Sequence, residues 1–121
     1  MLKFREITTR NGVKLLAGKN AKNNEELITQ VERNEDVFHT AAAGSPFVNI
    51  KGKAERGDLK EAAIFCARFS RDWKKNKKDV IVHRFKGKDI YKEKGMKIGT
   101  FGIKKFKIIK IKKEVIENWL Q

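Results

Sequence analysis

Hydrophobic and polar positions change rhythm several times along the chain, and each change marks an element. In LKFREI, Leu2 and Phe4 alternate with charged neighbours, and Glu6 continues the same face, which is the period of two expected of a strand. Asn11-Gly12 follows, two residues that tolerate positive φ, and VKLLAG then returns as the second strand of a hairpin. Asn23 with Glu26 three residues on reads as a capping box opening a helix through Leu27, Ile28 and Val31. VFHTA and PFVNI read as short strands on either side of a turn at 41–45. Asp58 and Glu61 form a second such box, opening a helix over about residues 58–75 in which Leu59, Ala62, Ala63, Cys66, Phe69 and Trp73 make one apolar stripe. Acidic residues at its start and Arg68, Arg71, Lys74 and Lys75 near its end suit the helix dipole. DVIVHRF and FKIIKIKK read as strands, joined by the Gly- and Lys-rich GKDIYKEKGMKIGTFG, and VIENWL as a short closing helix. These elements predict an α+β fold. Residues 1–121 should form a single compact domain, mainly an antiparallel sheet with two main helices packed on it and a short C-terminal helix.

Composition narrows the class. A chain of 121 residues, 40% hydrophobic with eight Phe and two Trp, can bury one modest core, so global disorder is excluded. No stretch approaches the roughly 18 to 20 apolar residues of a membrane span, and MLKFREITTR lacks the continuous apolar run of a secretory leader. Cys66 is the lone cysteine, which leaves no disulfide framework and reads as a small buried thiol in a reducing cytoplasm. The formal charge of +14 is far beyond what solubility requires. It is also uneven. Residues 1–67 carry 11 Lys and Arg against 9 Asp and Glu, whereas residues 68–113 carry 18 against 4. Such an asymmetry implies a basic face with a polyanionic partner.

Candidate chemistry is sparse. Asp36, His39 and Ser45 are the residue types of a hydrolase triad, but Ser45 precedes Pro46, which has no N–H to serve an oxyanion hole, and no G-x-S-x-G elbow is present. A metal site is not expected either, because His39 and His83 are the only histidines and Asp36-x-x-His39 on a strand points to opposite faces. Gly95, Gly99 and Gly102 are not a Walker loop, although such glycines let backbone amides approach a phosphate, with Lys94 and Lys97 to assist, or form an ordinary turn. The lysines of IKKFKIIKIKK recur among apolar residues at strand spacing, which predicts one core face and one cationic strip. With Arg68, Arg71, Lys74, Lys75, Lys77 and Lys78 this makes a phosphate-binding surface, to which Arg84, Lys86, Lys88, Lys92 and a base-stacking Tyr91 add.

Four segments, VKLLAGKNAKNNEEL, NEDVFHTAAAGSPFV, DLKEAAIFCARFSRDWKK and GMKIGTFGIKKFKIIKI, taken in this order resemble the NFACT-R domain. VKLLAGKNAKNNEEL resembles its opening strand followed by Gly-x-Asn, a second Asn and an acidic residue. NEDVFHTAAAGSPFV resembles its Asp-x-Trp-x-His motif with the following Gly-Ser and strand, DLKEAAIFCARFSRDWKK its Ala-rich helix ending in Ser, and GMKIGTFGIKKFKIIKI its closing strand. Gly18, Asn20 and Asn23 match the first motif, and Asp36, Phe38 and His39 the second, with Gly44 and Ser45 following. Asp36-Val37-Phe38-His39 is one residue shorter than the family's pattern, and Pro46-Phe47 stands where members often carry a His. The likeness covers residues 3–118, and a stand-alone version of the domain is the expectation.

The resemblance implies an RNA-binding module of ribosome quality control, contacting tRNA or rRNA and associated with the large ribosomal subunit. No cofactor is implied, and an enzyme is not the expected outcome. The nucleic-acid contacts expected are Asn20, Asn23, Asp36, His39, Arg68, Arg71, Lys74, Lys75, Arg84, Lys86, Tyr91, Lys94 and Lys97. Asp36 would fix the imidazole tautomer of His39, whose other nitrogen donates to a phosphate or 2′-OH. Asn20 and Asn23 either offer amide contacts or cap the helix, and His39 is either a contact or a structural histidine. Two alternatives use the same residues: an RNA-processing or RNA-modifying enzyme with His39 as general acid/base, and a DNA-binding or structural ribosome-associated protein.

Overall fold

The computed structural model describes residues 4–119. Strands β1 (Arg5–Thr8) and β2 (Lys14–Ala17) form the expected hairpin, with Gly12 at φ +84° in its turn. Helix α1 (Ala21–Thr29), β3 (Asp36–Thr40), β4 (Val48–Ile50), α2 (Arg56–Arg68) and α3 (Arg71–Asn76) follow. Next come β5 (Val80–Lys86), the two-residue strands β6 (Ile90–Tyr91) and β7 (Gly102–Ile103), β8 (Lys107–Ile111) and α4 (Lys113–Glu117). Six strands pair antiparallel in the order β1-β2-β4-β3-β5-β8, while β6 and β7 pair with each other inside the segment expected to be a plain connection.

The sheet is covered on both sides, so its central strands read as nearly continuous apolar runs. On one side Phe38, Val48, Ile50 and Val82 pack against Ala62, Ala63, Phe65 and Cys66 of α2. On the other, Leu16, Val37, Phe47 and Phe85 pack against Leu27 of α1, with Phe4, Phe101 and Ile103 joining them. Leu2 lies outside the described residues, and Glu6 is exposed beside Lys14 at 3.9 Å.

Three local expectations are corrected. Asn23 does not begin α1. Asn20 is the cap, its side chain accepting from Asn23 N at 2.8 Å, while Asn23 Oδ1 accepts in return from Lys19 N at 3.0 Å. Glu55 likewise precedes Asp58, which sits at the third helical position and accepts from Glu55 N at 2.9 Å. In α2 the residue taken for the cap is its reciprocating partner in a capping box, while in α1 Asn23 returns its bond to Lys19, one residue before the cap. The stretch 58–75 is two helices, not one. Ser70, fully buried, donates from Oγ to Ala67 O at 2.6 Å and accepts from Trp73 N at 3.1 Å, which ends α2 and caps α3. The apolar stripe survives the break because Phe69 and Trp73 keep their spacing across it.

Strand β8 also departs from a simple division into core and cations. Ile109 and Ile111 turn inward, but Lys107 shares their side and the opposite side carries Ile108, 68% exposed, together with Lys110. The lysines are therefore not a single strip.

Candidate nucleic-acid interface

A cleft of about 580 Å³ opens where the end of β2, the amino end of α1, the turn after β3 and the start of α3 converge. Its lining includes Arg5, Gly18, Lys19, Asn20, Asn24, His39, Ser45, Phe69, Arg71 and Lys74, with Ile98, Gly99 and Thr100 on a far wall. Each wall is held by a specific contact. Gly18 N donates to Phe47 O at 3.1 Å and Asn24 Oδ1 accepts from Phe47 N at 3.2 Å, joining β2, α1 and the residue before β4. The turn after β3 reaches α3 through Arg71 N donating to Gly44 O at 2.8 Å, with Gly44 at φ +91°. Ser45 Oγ accepts from Thr40 N at 3.0 Å and donates to Pro46 O at 3.1 Å, so this hydroxyl closes the turn. The far wall is tied down by Lys92, whose ammonium donates to Glu25 Oε2 at 2.6 Å, Lys97 O at 2.6 Å and Thr100 O at 2.7 Å.

Gly18 occupies a position only glycine fills without cost. A Cβ there would lie 1.8 Å from Asn24 Oδ1. Gly18→Ala is expected to rotate the Asn24 carboxamide away from Phe47 N and to lower stability by about 2 kcal/mol, the cost of a buried donor left unpaired. Urea unfolding measures this, and an unchanged midpoint would contradict it.

The electrostatics of the cleft are one-sided. Four cationic side chains line it, Arg5, Lys19, Arg71 and Lys74, and no Asp or Glu does among the described residues. Glu25, the nearest acid of α1, is turned to Lys92 and to Gly99 N, which it accepts at 2.6 Å. The ion pair and the Gly99 amide hold its carboxyl below the usual range, against the opposing and largest influence of desolvation. The Gly99 amide therefore binds a carboxylate of the protein, which fits the ordinary turn and not the phosphate cradle, the two readings the glycine spacing allowed. The amino end of α1 adds its partial positive charge at Asn20 and Ala21. The Arg5 guanidinium lies 4.0 Å over the Phe69 ring, which fixes a charge and a flat apolar surface at one rim.

His39 faces the cleft and stacks on Phe47 at 4.3 Å between ring centroids. Burial pushes its imidazole down to about 4, the Thr40 backbone opposing and the charge of His83 adding to the effect. The ring is thus neutral at physiological pH and meets a ligand as a hydrogen-bonding group, not as a cation.

The expected Asp36–His39 pairing is overturned. Asp36 and Phe38 lie on the α2 side of β3, Val37 and His39 on the other. Asp36 Oδ1 instead accepts from Arg84 Nε at 2.9 Å and lies 3.2 Å from Lys86 Nζ. Those two cations are committed to a buried carboxylate and are drawn away from the cleft. Of the other expected contacts, Asn20, His39, Arg71 and Lys74 come together, and Asn23 lies behind Asn20 as its capping partner. Arg68 sits 5.5 Å over Phe69, and Lys75, Lys94 and Lys97 are exposed outside the cleft lining. The Tyr91 ring covers Gly102 on the paired strand, where a Cβ would approach it to 2.0 Å. Arg5, Lys19, Asn24 and Phe69 were missed by sequence reasoning, since nothing local connects positions 5, 19 and 69.

Comparison with known proteins agrees with this architecture. Residues 3–105 match the NFACT protein RNA binding domain. The archaeal Rqc2 homolog aRqcH of Methanocaldococcus jannaschii is 39% identical over 71 residues, 55% of this chain and 11% of that protein. The chain thus spans about a tenth of the length of this curated relative. The C-terminal part of the fibronectin/fibrinogen-binding protein from Streptococcus suis shares the fold, with a TM-score of 0.82 over 93% of this chain and 46% of that one at 24% identity.

Proposed function

Because the chain belongs to the NFACT RNA-binding domain family, we propose that residues 1–121 act as one RNA-binding unit whose cleft seats the phosphate backbone of a structured RNA. The observation that carries this reading is the convergence of Arg5, Lys19, Arg71 and Lys74 with the amino end of α1 around a cleft that no carboxylate lines among the described residues. Phosphate contacts of this kind position an RNA by charge and shape and carry little sequence information. Neutral His39 and the Asn20 amide supply hydrogen bonds to a phosphate or a 2′-OH, the group that separates RNA from DNA. Exposed Lys75, Lys94 and Lys97 add long-range attraction. The partner is a tRNA or an rRNA segment, and the setting is the large ribosomal subunit in the cytoplasm.

Fluorescence anisotropy with tRNA, an rRNA fragment and duplex DNA over a salt series tests the proposal. Log K against log[salt] should fall with a slope of about −3, as expected for roughly four neutralised phosphates. Arg71→Gln with Lys74→Gln should weaken RNA binding about tenfold or more at physiological salt and reduce the slope by about 2. A flat salt dependence, or a folded double variant with unchanged affinity, would sink the reading. Tighter binding to duplex DNA than to either RNA would redirect it to DNA.

A further inference from the structure

We propose that the β8 edge of the sheet carries a second RNA contact, a stacking platform for an unpaired base built from His83 and Phe106. The inference rests on the cleft reading and extends it along the same face of the sheet. His39, at the cleft, is the cross-strand partner of His83 on β5, and His83 is in turn the partner of Ile108 on β8. Phe106, just before β8, stacks on His83 with centroids 4.1 Å apart and planes at 23°. Rings therefore run from Phe47 through His39 and His83 to Phe106, from the cleft towards the edge of the sheet. At its outer end the row meets solvent, with Phe106 46% exposed and Ile108 68% exposed.

The surroundings identify the occupant. Lys104, Lys105 and Lys110 are exposed around this edge, Lys107 turns to the other side of the sheet, and the only ion pair among the first three in the described residues is Lys110 with Asp79 at 3.6 Å. Lysines alone on an edge strand are explained as protection against strand pairing. Exposed Phe106 and Ile108 work against that protection, so they require another reason. An aromatic surface ringed by cations fits a base with its phosphate, because every base has a flat face to stack and a charge to neutralise. Continuity with the cleft adds direction: a strand whose phosphate sits at Arg71 and Lys74 can pass His39 and lay its next unpaired bases on the His83–Phe106 pair.

The test compares an RNA hairpin with a short single-stranded tail and the same hairpin with a blunt end. Wild type should bind the tailed RNA about tenfold more tightly, within the range of one stacked base. Phe106→Ala should remove that preference and leave blunt-hairpin affinity unchanged, while Phe106→Trp should keep it. Equal binding of both RNAs by wild type, still weakened by Arg71→Gln with Lys74→Gln, overturns the platform and spares the cleft. Absence of salt-dependent binding to either RNA overturns the cleft and the platform with it. Equal losses for both RNAs in Phe106→Ala overturn the proposal in favour of a packing role. Sedimentation showing that Phe106→Ala dissociates a self-associated wild type overturns it in favour of a protein contact.

Discussion

Asp36→Ala is expected to lose about 3 kcal/mol of folding stability while RNA affinity at the cleft stays within twofold of wild type, because breaking a buried pair strands its partner charges. The Asp36 side chain is only 6% exposed and faces both Arg84 and Lys86, which are 23% and 39% exposed. Removing the carboxylate leaves two cations side by side at 2.9 and 3.2 Å from an empty position. Breaking a fully buried pair by deleting one partner costs about 3–5 kcal/mol, and the partial exposure of the two cations places this case at the lower end. Asn49 Nδ2 donates to Asp36 O at 3.2 Å and is unaffected, so the strand itself should hold. Asp36→Asn keeps an acceptor for Arg84 and should lose about half as much. Urea unfolding and anisotropy with tRNA read the two quantities. A tenfold loss of RNA affinity with unchanged stability would restore Asp36 to the RNA contact.

The second large effect is a fall in stability between pH 6.5 and 4. The His39 imidazole is held at about 4 in the fold, against 6.5 in an unfolded chain. As pH falls through this window the unfolded state takes up the proton first, so the fold loses stability, by about 3 kcal/mol in all. Above pH 6.5 this contribution is complete, and below about 4 it changes no further. His83, lowered by burial, acts in the same direction. The carboxyls of Glu35 and Asp58 are held low by hydrogen bonds from Lys51 and backbone amides and from Thr9 and Glu55, in Glu35 against a larger opposing desolvation, so their contribution is lost only at more acidic pH. His39→Phe, which keeps a ring against Phe47, should flatten most of the upper window and leave the acidic limb intact. Thermal melts at half-unit pH steps measure both, and a His39→Phe profile that parallels wild type would contradict the assignment.

Much of this molecule is legible in the residues themselves. The alternation and Asn11-Gly12 turn of the first hairpin and the stripe of α2 express periods of two and 3.6 that need no distant partner. The starts of α1 and α2 lie three residues before Asn23 and Asp58, because the cap and the third helical position carry similar polar side chains. The break at Ser70 was hidden because it conserves the spacing of the buried residues around it.

The candidate site was legible only in part. The excess of charge lies in residues 68–113, yet two of the four cleft cations, Arg5 and Lys19, come from the nearly neutral first half. Arg84 and Lys86, counted there as free charge, are tied to Asp36. Lysine at 92 looked like one more phosphate ligand and is the clamp that holds the loop to α1. A count along the chain records how many charges exist; pairing across the sheet removes some of them from reach.

By itself, then, the sequence determined the class of fold, the basic character and the set of chemistries available at Asn20, His39, Arg71 and Lys74. It also determined, through strand parity, that Asp36 and His39 face opposite ways. The tertiary structure alone decided which of those groups meet. Only the pairing of β3 with β5 sets His39 beside His83, and only the return of β8 brings Phe106 onto that ring. Local periodicity reports which side of an element is buried, whereas the partner across the sheet depends on long-range register, and register is set by the packing of the whole core.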